Sequence, residues 1–203
     1  MLIAVERLLV RVRQVPSRAD ELIALRRRVR AERSANPGVE ERATAAEILA
    51  LKEKLSHALA SVTACATCAV GKRWPRGAFP GGDCCSAVTA DLFSDDEVAA
   101  LVQSGTRPRH LDAPRTDHAG CAFRGETGCT LSAAHRPGRC VHYTCFVLRT
   151  ELRARGELGH IDELRTQLQE AQARFHALRE ARLDDELLVP LETALRDQGR
   201  SQR

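Results

Sequence analysis

The sequence predicts a mainly α protein in which an irregular, cysteine-rich module is flanked by long helices that form a helical hairpin or bundle. Three observations predict this fold. All eight cysteines of the 203-residue chain lie between Cys65 and Cys145. The segments on either side are rich in Leu, Ala, Arg and Glu, with apolar residues at helical intervals of three and four. Aromatic residues make up only 3% of the chain, so aliphatic side chains must form most of the core, which suits helices packed on helices.

These patterns divide the chain into three parts. Residues 1–62 form an N-terminal helical arm, residues 63–149 the cysteine-rich module, and residues 150–203 a C-terminal helical arm. A chain of this length holds one domain, or a small domain with extensions, and can bury a modest core.

The N-terminal arm contains three predicted helices. The first covers residues 2–14, where one face collects Leu2, Val5, Leu8, Leu9 and Val12. Ser17 is a typical N-cap for the second helix, whose apolar stripe is Leu22, Leu25 and Val29. The sequence Asn36-Pro37-Gly38 ends this helix, and a third helix follows to about Val62.

The third helix and the last helix of the chain carry matching apolar seams. The seam of the third helix is Ile48, Leu51, Leu55, Ala58 and Val62. The last helix begins near His160, and its seam is Ile161, Leu164, Leu168, Ala171, Phe175 and Leu178. Narrow seams of this kind suit an antiparallel pair, so we expect the two helices to pack together over the module. Pro190 is expected to break or kink the last helix.

Regular structure is predicted to be sparse inside the module. Ser94, followed by two aspartates and Glu97, predicts a capping box and a short helix that stops at Gly105. Residues 106–120 have the composition of a loop. From Cys121 the chain is expected to remain short of regular structure until about Tyr143, where a helix begins that runs through residue 155.

Composition and charge exclude several classes of protein. Residues 1–60 carry 12 basic and 8 acidic side chains, residues 61–149 carry 10 and 8, and the remainder carries 9 and 11. This spread, nearly balanced charge argues against a nucleic-acid partner, and the arginines from Arg26 to Arg33 are expected to form a solvated helix face. Neither a secretion signal nor a membrane-spanning run is visible, so no membrane partner is expected. The expected location is the cytoplasm, where thiols stay reduced.

The spacing of the cysteines points to metal. Clustered thiols in a reducing compartment more often bind metal than form disulfides, although a disulfide-stapled module is an alternative. The motif Cys65-Ala-Thr-Cys68 lets two thiolates converge on one cation. The adjacent Cys84 and Cys85 have diverging side chains, so they more naturally serve two ions or two corners of one cluster. Eight thiols suit two Cys₄ zinc sites, or one iron–sulfur cluster with a second site or spare thiols. The candidate ligands are Cys65, Cys68, Cys84, Cys85, Cys121, Cys129, Cys140 and Cys145.

Other residues of the module fit the surroundings of a negatively charged metal centre. Its glycines allow backbone N–H groups to approach closely, and positive charge is available from Arg124, Arg136 and Arg139. Trp74 and Phe79, in a Gly- and Pro-rich loop, are expected to cover the cysteines. Eight cysteines already complete two tetrahedral sites, so we assign the second coordination layer or the surface to His118, His135 and His142. His57 is expected to be a surface or packing residue and not a ligand.

The order of these motifs resembles the YkgJ-type cysteine-cluster family, a zinc- or iron-chelating domain. The resemblance covers residues 65–146 and includes all eight cysteines, the capped helix after Cys85, and the Arg136-Pro137 pair before Cys140. The chain departs from the family pattern in one respect, because residues 69–83 separate its C-x-x-C motif from its adjacent cysteines. The resemblance implies metal binding and little about a reaction.

Two kinds of function remain open at this point. The first is a metal-binding cysteine-cluster protein, which holds an iron–sulfur cluster or zinc in a structural, redox or metal-handling role. The second is a cluster-dependent enzyme, either methyltransferase-like or a redox catalyst, that uses the same site. No nucleotide-binding glycine fingerprint, G-x-S-x-G motif or H-E-x-x-H motif assigns catalytic residues. A protein partner, or a second copy of the chain, is expected to dock on the helical arms.

Overall fold

The computed structural model describes residues 17–62, 89–113, 121–125 and 128–201, and this part of the chain is mainly α-helical. The predicted helical character of the fold is therefore confirmed. The predicted helix over residues 2–14 lies outside the described residues. The boundaries proposed at residues 62 and 149 remain predictions.

Two helices lie in the described part of the N-terminal arm: α1 spans Arg18–Glu32 and α2 spans Val39–Ala58. Ser17 caps α1 as predicted. Its Oγ accepts a hydrogen bond from the Asp20 N–H at 3.2 Å, and the Asp20 carboxylate accepts one from the Ser17 N–H. This reciprocal pair satisfies two donors that the first turn of a helix leaves unpaired.

Short elements occupy the middle of the chain. Helices α3 and α4 span Thr89–Leu92 and Asp95–Gln103, and 3₁₀ turns cover Pro108–His110 and Ala133–His135. Strands β1 (Arg124–Gly125) and β2 (Gly128–Cys129) pair antiparallel, with Arg124 opposite Cys129. Helix α5 spans Gly138–His142. Among the described residues from Cys121 to Tyr143, regular structure is therefore limited to short elements, in line with the expectation.

Two helices complete the described chain: α6 spans Phe146–Ala154 and α7 spans Leu158–Ser201. Helix α7 continues through Pro190, so of the two predicted effects the break is wrong and the kink remains a prediction. A proline removes the hydrogen bond to the carbonyl four residues earlier, here that of Glu186. Glu186 and its neighbours are exposed, so water can satisfy that carbonyl.

Helices α2 and α7 form an antiparallel hairpin, as their seams predict. Glu41 pairs with Arg182 at 2.8 Å and Glu47 pairs with Arg174 at 2.7 Å, so residue numbers fall along α7 as they rise along α2. We call the apolar cluster between these helices the hairpin core. It also contains residues of α4, α5 and α6, and its members include Ile48, Leu55, Ala99, Val141, Leu152, Leu168 and Phe175.

A second apolar cluster lies between α1, α4 and the chain around residues 111–131, and we call it the cysteine-side core. Its members include Leu25, Val29, Phe93, Leu101, Leu111, Cys121, Phe123 and Leu131. Two arginines of the run expected to be solvated help to hold it closed. Arg26 donates to the Leu111 carbonyl at 2.9 Å, and Arg28 pairs with Asp95 at 2.6 Å.

Candidate metal centre

The described cysteines lie on the two apolar cores. Cys121 is buried in the cysteine-side core, and Cys129 and Cys140 pack against it from partly buried positions. Cys145 packs against the hairpin core. The other four candidate ligands, Cys65, Cys68, Cys84 and Cys85, lie outside the described residues, as do Trp74, Phe79 and His118.

Local hydrogen bonds fix the chain around Cys121 and Cys129. The N–H of Ala122, next to Cys121, donates to the Thr89 Oγ1 at 3.0 Å, and Thr89 itself is buried. Thr130, next to Cys129, donates from its N–H and its Oγ1 to the Phe123 carbonyl at 2.9 and 3.0 Å. The β1–β2 pair and these contacts hold the two cysteine-bearing segments side by side.

Cys140 and Cys145 lie at the ends of a short turn. Cys140 is on α5, where its N–H donates to the Pro137 carbonyl at 3.0 Å. The Arg136 Nε donates to the Leu131 carbonyl at 2.7 Å, so this arginine fixes the approach to α5. Cys145 is the N-cap of α6, and its sulfur accepts a weak hydrogen bond from the Leu148 N–H at 3.5 Å.

Within residues 17–62, 89–113, 121–125 and 128–201, no three His, Cys, Asp or Glu side chains converge in a geometry that could hold a metal ion. The four described cysteines therefore do not form a complete ligand set by themselves. A site made from them would need thiolates from the segment that contains Cys65 to Cys85.

The surroundings of Cys140 include a buried lysine that the sequence analysis did not single out. Lys52 of α2 is only 2% exposed, and its Nζ donates to the Ala134 carbonyl at 3.1 Å. Burial lowers the pKa of Lys52 to about 8, although the charges of Glu97 and Cys140 act in the opposite direction. A signal existed in the sequence, because Lys52 lies four residues after Ile48 and three before Leu55, on the apolar side of α2.

Glu97 links α4 to α5 and α7. Its carboxylate accepts hydrogen bonds from the Gly138 N–H at 3.0 and 3.1 Å and from the Gln172 Nε2 at 2.7 Å. Burial raises the pKa of Glu97, and this is partly offset by the Gly138 N–H, the charge of Lys52 and the Arg139 N–H. Only half of the capping box predicted at Ser94 is formed: its Oγ accepts from the Glu97 N–H at 3.2 Å, while the carboxylate turns to α5.

The histidines of the described module have different surroundings. His135 stacks on His110, with 4.2 Å between the ring centroids, and its Nδ1 lies 2.9 Å from the Thr106 Oγ1. Burial, followed by the charges of Arg165 and Arg139, lowers the pKa of His142. The Nδ1 of His142 and the Oγ1 of Thr144 are buried and lack a hydrogen-bond partner among the described residues. His57 is exposed, as predicted.

No protein-family model, no curated protein and no solved structure matches this chain. None of the described helices combines the length and the apolar character needed to cross a membrane.

Proposed function

We propose that this chain is a metal-binding cysteine-cluster protein that holds an iron–sulfur cluster or zinc ions through its eight cysteines. One observation carries the proposal: Cys121, Cys129 and Cys140, from three separate segments, all lie on the cysteine-side core. The role of the bound metal is structural, redox or metal-handling. The resemblance of residues 65–146 to the YkgJ-type family is part of the same proposal.

The covalent chain keeps Cys84 and Cys85 within reach of this core. Cys85 is four residues before Thr89, so at most about 14 Å of extended chain separates their Cα atoms. The Thr89 Oγ1 accepts a hydrogen bond from the N–H of Ala122, the residue after Cys121. The two cysteines are therefore within reach of Cys121 in either a two-zinc or a cluster arrangement.

The chemistry of the neighbouring groups fits a metal–thiolate centre. Thiolates are the ligands that zinc and iron–sulfur clusters share. Such centres carry negative charge, and the neighbouring cationic side chains are Lys52, Arg136 and Arg139. His142 and Thr144 lie between Cys140 and Cys145 in the sequence. Each has a buried polar atom without a hydrogen-bond partner among the described residues, and an additional group at this place would supply one.

We also propose that the C-terminal helical arm binds a second copy of the chain. All side chains from residue 183 to residue 190 are exposed, and they include Leu183 at 39%, Leu187 at 72% and Leu188 at 50%. The sequence places three acidic residues at 184–186, whereas residues 191–203 carry three arginines and two acidic residues, a net charge of +1. Antiparallel pairing of two such helices would bring each acidic end beside the basic end of the other copy.

Anaerobic purification followed by metal analysis tests the metal proposal. A cluster would give a coloured protein with iron and acid-labile sulfide, whereas two Cys₄ sites would give a colourless protein with about two zinc ions per chain. Protein that contains neither iron nor zinc, and whose thiols react with alkylating reagents without protection, would contradict the proposal.

Substitution of the adjacent cysteines tests their assignment as ligands. Cys84→Ser and Cys85→Ser should each lower the metal content and the thermal unfolding midpoint, because each removes one thiolate from a ligand set. His57→Ala is the control and should keep the wild-type metal content, since His57 is exposed on α2. Wild-type metal content and affinity in both serine variants would show that the adjacent pair does not serve the site.

A further inference from the structure

We infer that Lys52 is the internal counter-ion of the metal centre and acts through the thiolate of Cys140. This inference rests on the proposed metal-binding function and identifies the residue that stabilises the charge of the centre. It assigns Lys52 a positioning and electrostatic role toward the metal site.

The burial of Lys52 is the first observation behind this inference. The side chain is 2% exposed, which makes it the largest of the fully buried side chains in the described chain. Its ammonium group has three N–H donors. Among the described residues, its one hydrogen-bond acceptor is the Ala134 carbonyl.

A buried ammonium group without an anionic partner destabilises a fold. Isolated burial of a charge costs several kcal/mol unless a counter-charge and hydrogen bonds compensate it. None of the ion pairs between described residues includes Lys52. Lys52 therefore needs an anion that the described chain does not supply at contact distance.

Cys140 supplies the connection to the metal site. Helix α2 packs against both the 3₁₀ turn at Ala133–His135 and α5, so Lys52 faces the segment that carries Cys140. Glu97 first and Cys140 second, when its thiol is ionised, counteract the lowering of the Lys52 pKa by burial. A protonated thiol is neutral, whereas a metal site with four thiolates carries a formal charge of about −2 around a zinc ion. Lys52 should therefore stabilise the metal-loaded state far more than the metal-free state.

Glu97 is the competing partner for Lys52, because its charge also acts on the lysine. Its carboxylate is already occupied by the Gly138 N–H and the Gln172 amide. The two assignments predict opposite behaviour without metal. If Lys52 existed to balance Glu97, its loss would destabilise the metal-free protein. If Lys52 balances the metal centre, a similarly sized apolar residue should leave that protein equally stable or more stable.

The experiment compares Lys52→Met with Lys54→Met, since Lys54 is an exposed lysine on the same helix. Zinc affinity is measured by competition with a chromogenic chelator, and urea unfolding is recorded with and without zinc. We expect Lys52→Met to weaken zinc binding by at least about tenfold, because it removes one buried opposite charge. We expect its stability without zinc to equal or exceed that of the wild type, and Lys54→Met to match the wild type in both measurements.

Each result has one meaning. Equal zinc affinity of Lys52→Met and wild type would overturn the counter-ion role and leave the metal proposal intact. So would weaker binding accompanied by an equal loss of stability in the metal-free protein, since that is the result of a structural role. Wild-type protein that binds no zinc, and that carries no iron after anaerobic purification, would overturn the metal proposal and this inference together.

Discussion

Gly138 of α5 lies directly against the Gln172 side chain of α7. Its N–H donates to Glu97, and a Cβ atom at this position would overlap the Gln172 side-chain amide. Gln172 in turn donates to the same carboxylate. Gly138 lies two residues before Cys140. Because it has no side chain, α5 and α7 can both approach the buried Glu97 carboxylate of α4.

Gly138→Ala should displace the Gln172 amide and remove its hydrogen bond to Glu97. We expect a loss of about 1–3 kcal/mol in unfolding free energy, the range for leaving a buried polar group without its partner. Urea unfolding measures the loss. Gln172→Ala combined with Gly138→Ala provides the check, because the alanine methyl group should cost less once the amide is gone. Additive losses in the double variant would contradict this account.

At this scale, the sequence predicts local interactions better than long-range ones. The caps at Ser17 and Ser94 are predicted because donor and acceptor lie three residues apart. The carboxylate of Glu97 departs from the predicted box because Gly138, 41 residues away, offers an N–H at a buried helix end. The hydrogen bond of Lys52 to the Ala134 carbonyl is unpredictable for the same reason, since 82 residues separate the two.

At the scale of elements, two glycines near the junction of α6 and α7 differ in backbone conformation: Gly156 lies in the turn and Gly159 in α7. Gly156 has a φ of +72°, a conformation that residues with a side chain adopt at a cost. Gly159 is within the first turn of α7 and has an ordinary backbone conformation. A Cβ atom at either position would meet no other atom within 4 Å, so sterics do not distinguish them.

This difference predicts opposite signs for the same substitution. Gly156→Ala should destabilise the protein by about 1 kcal/mol because of its left-handed backbone. Gly159→Ala should stabilise it by up to about 1 kcal/mol, because alanine restricts the unfolded chain and favours helix. Thermal unfolding of the two variants beside the wild type checks both signs. The same sign in both variants would contradict the turn geometry assigned here.

The long elements were predictable because their apolar seams repeat over many turns. The pairing of α2 with α7 follows from two seams of matching period, and the buried residues Ile48, Leu55 and Phe175 confirm it. The strand pair and α5 carry no such signal, since they are two to five residues long. Contacts with the two cores stabilise them, and those contacts join residues distant in the sequence.

At the scale of the whole molecule, the last part of α7 extends past both cores. Among the residues of α7 whose side chains the structure describes, the last fully buried one is Phe175, and Arg182 still pairs with Glu41. The 19 residues from 183 to 201 continue the helix for about 28 Å. The side chains from 183 to 190 are exposed, and an isolated helix of this length is marginal in water, which supports the proposed pairing with another helix.

Light scattering coupled to size exclusion tests this pairing. The wild-type chain should have twice the 22.3 kDa mass of one copy. Leu187→Lys with Leu188→Lys should give a single copy, because two lysines would replace the most exposed leucines of the face. Ile23→Lys is the matched control, since Ile23 is an exposed apolar residue on α1, and it should remain a dimer. A single copy for the wild type would refute the pairing.

The sequence predicts the position and number of candidate ligands but not how they share metal. Cysteine spacing along the chain does not determine which sulfur atoms meet, because that depends on how the segments cross. The structure brings Cys121, Cys129 and Cys140 to one core and Cys145 to the other. This division could not be predicted, since Cys140 and Cys145 are only five residues apart.

The antiparallel hairpin has a consequence for the order of folding. Its ion pair between Glu47 and Arg174 joins residues 127 positions apart, and the whole cysteine-rich module lies between them. Closing so long a loop costs conformational entropy, and this cost precedes the stabilising contacts of the hairpin core. Ligands held together on a metal would shorten the loop that remains to be closed. Metal bound during synthesis would then increase the rate at which α2 pairs with α7.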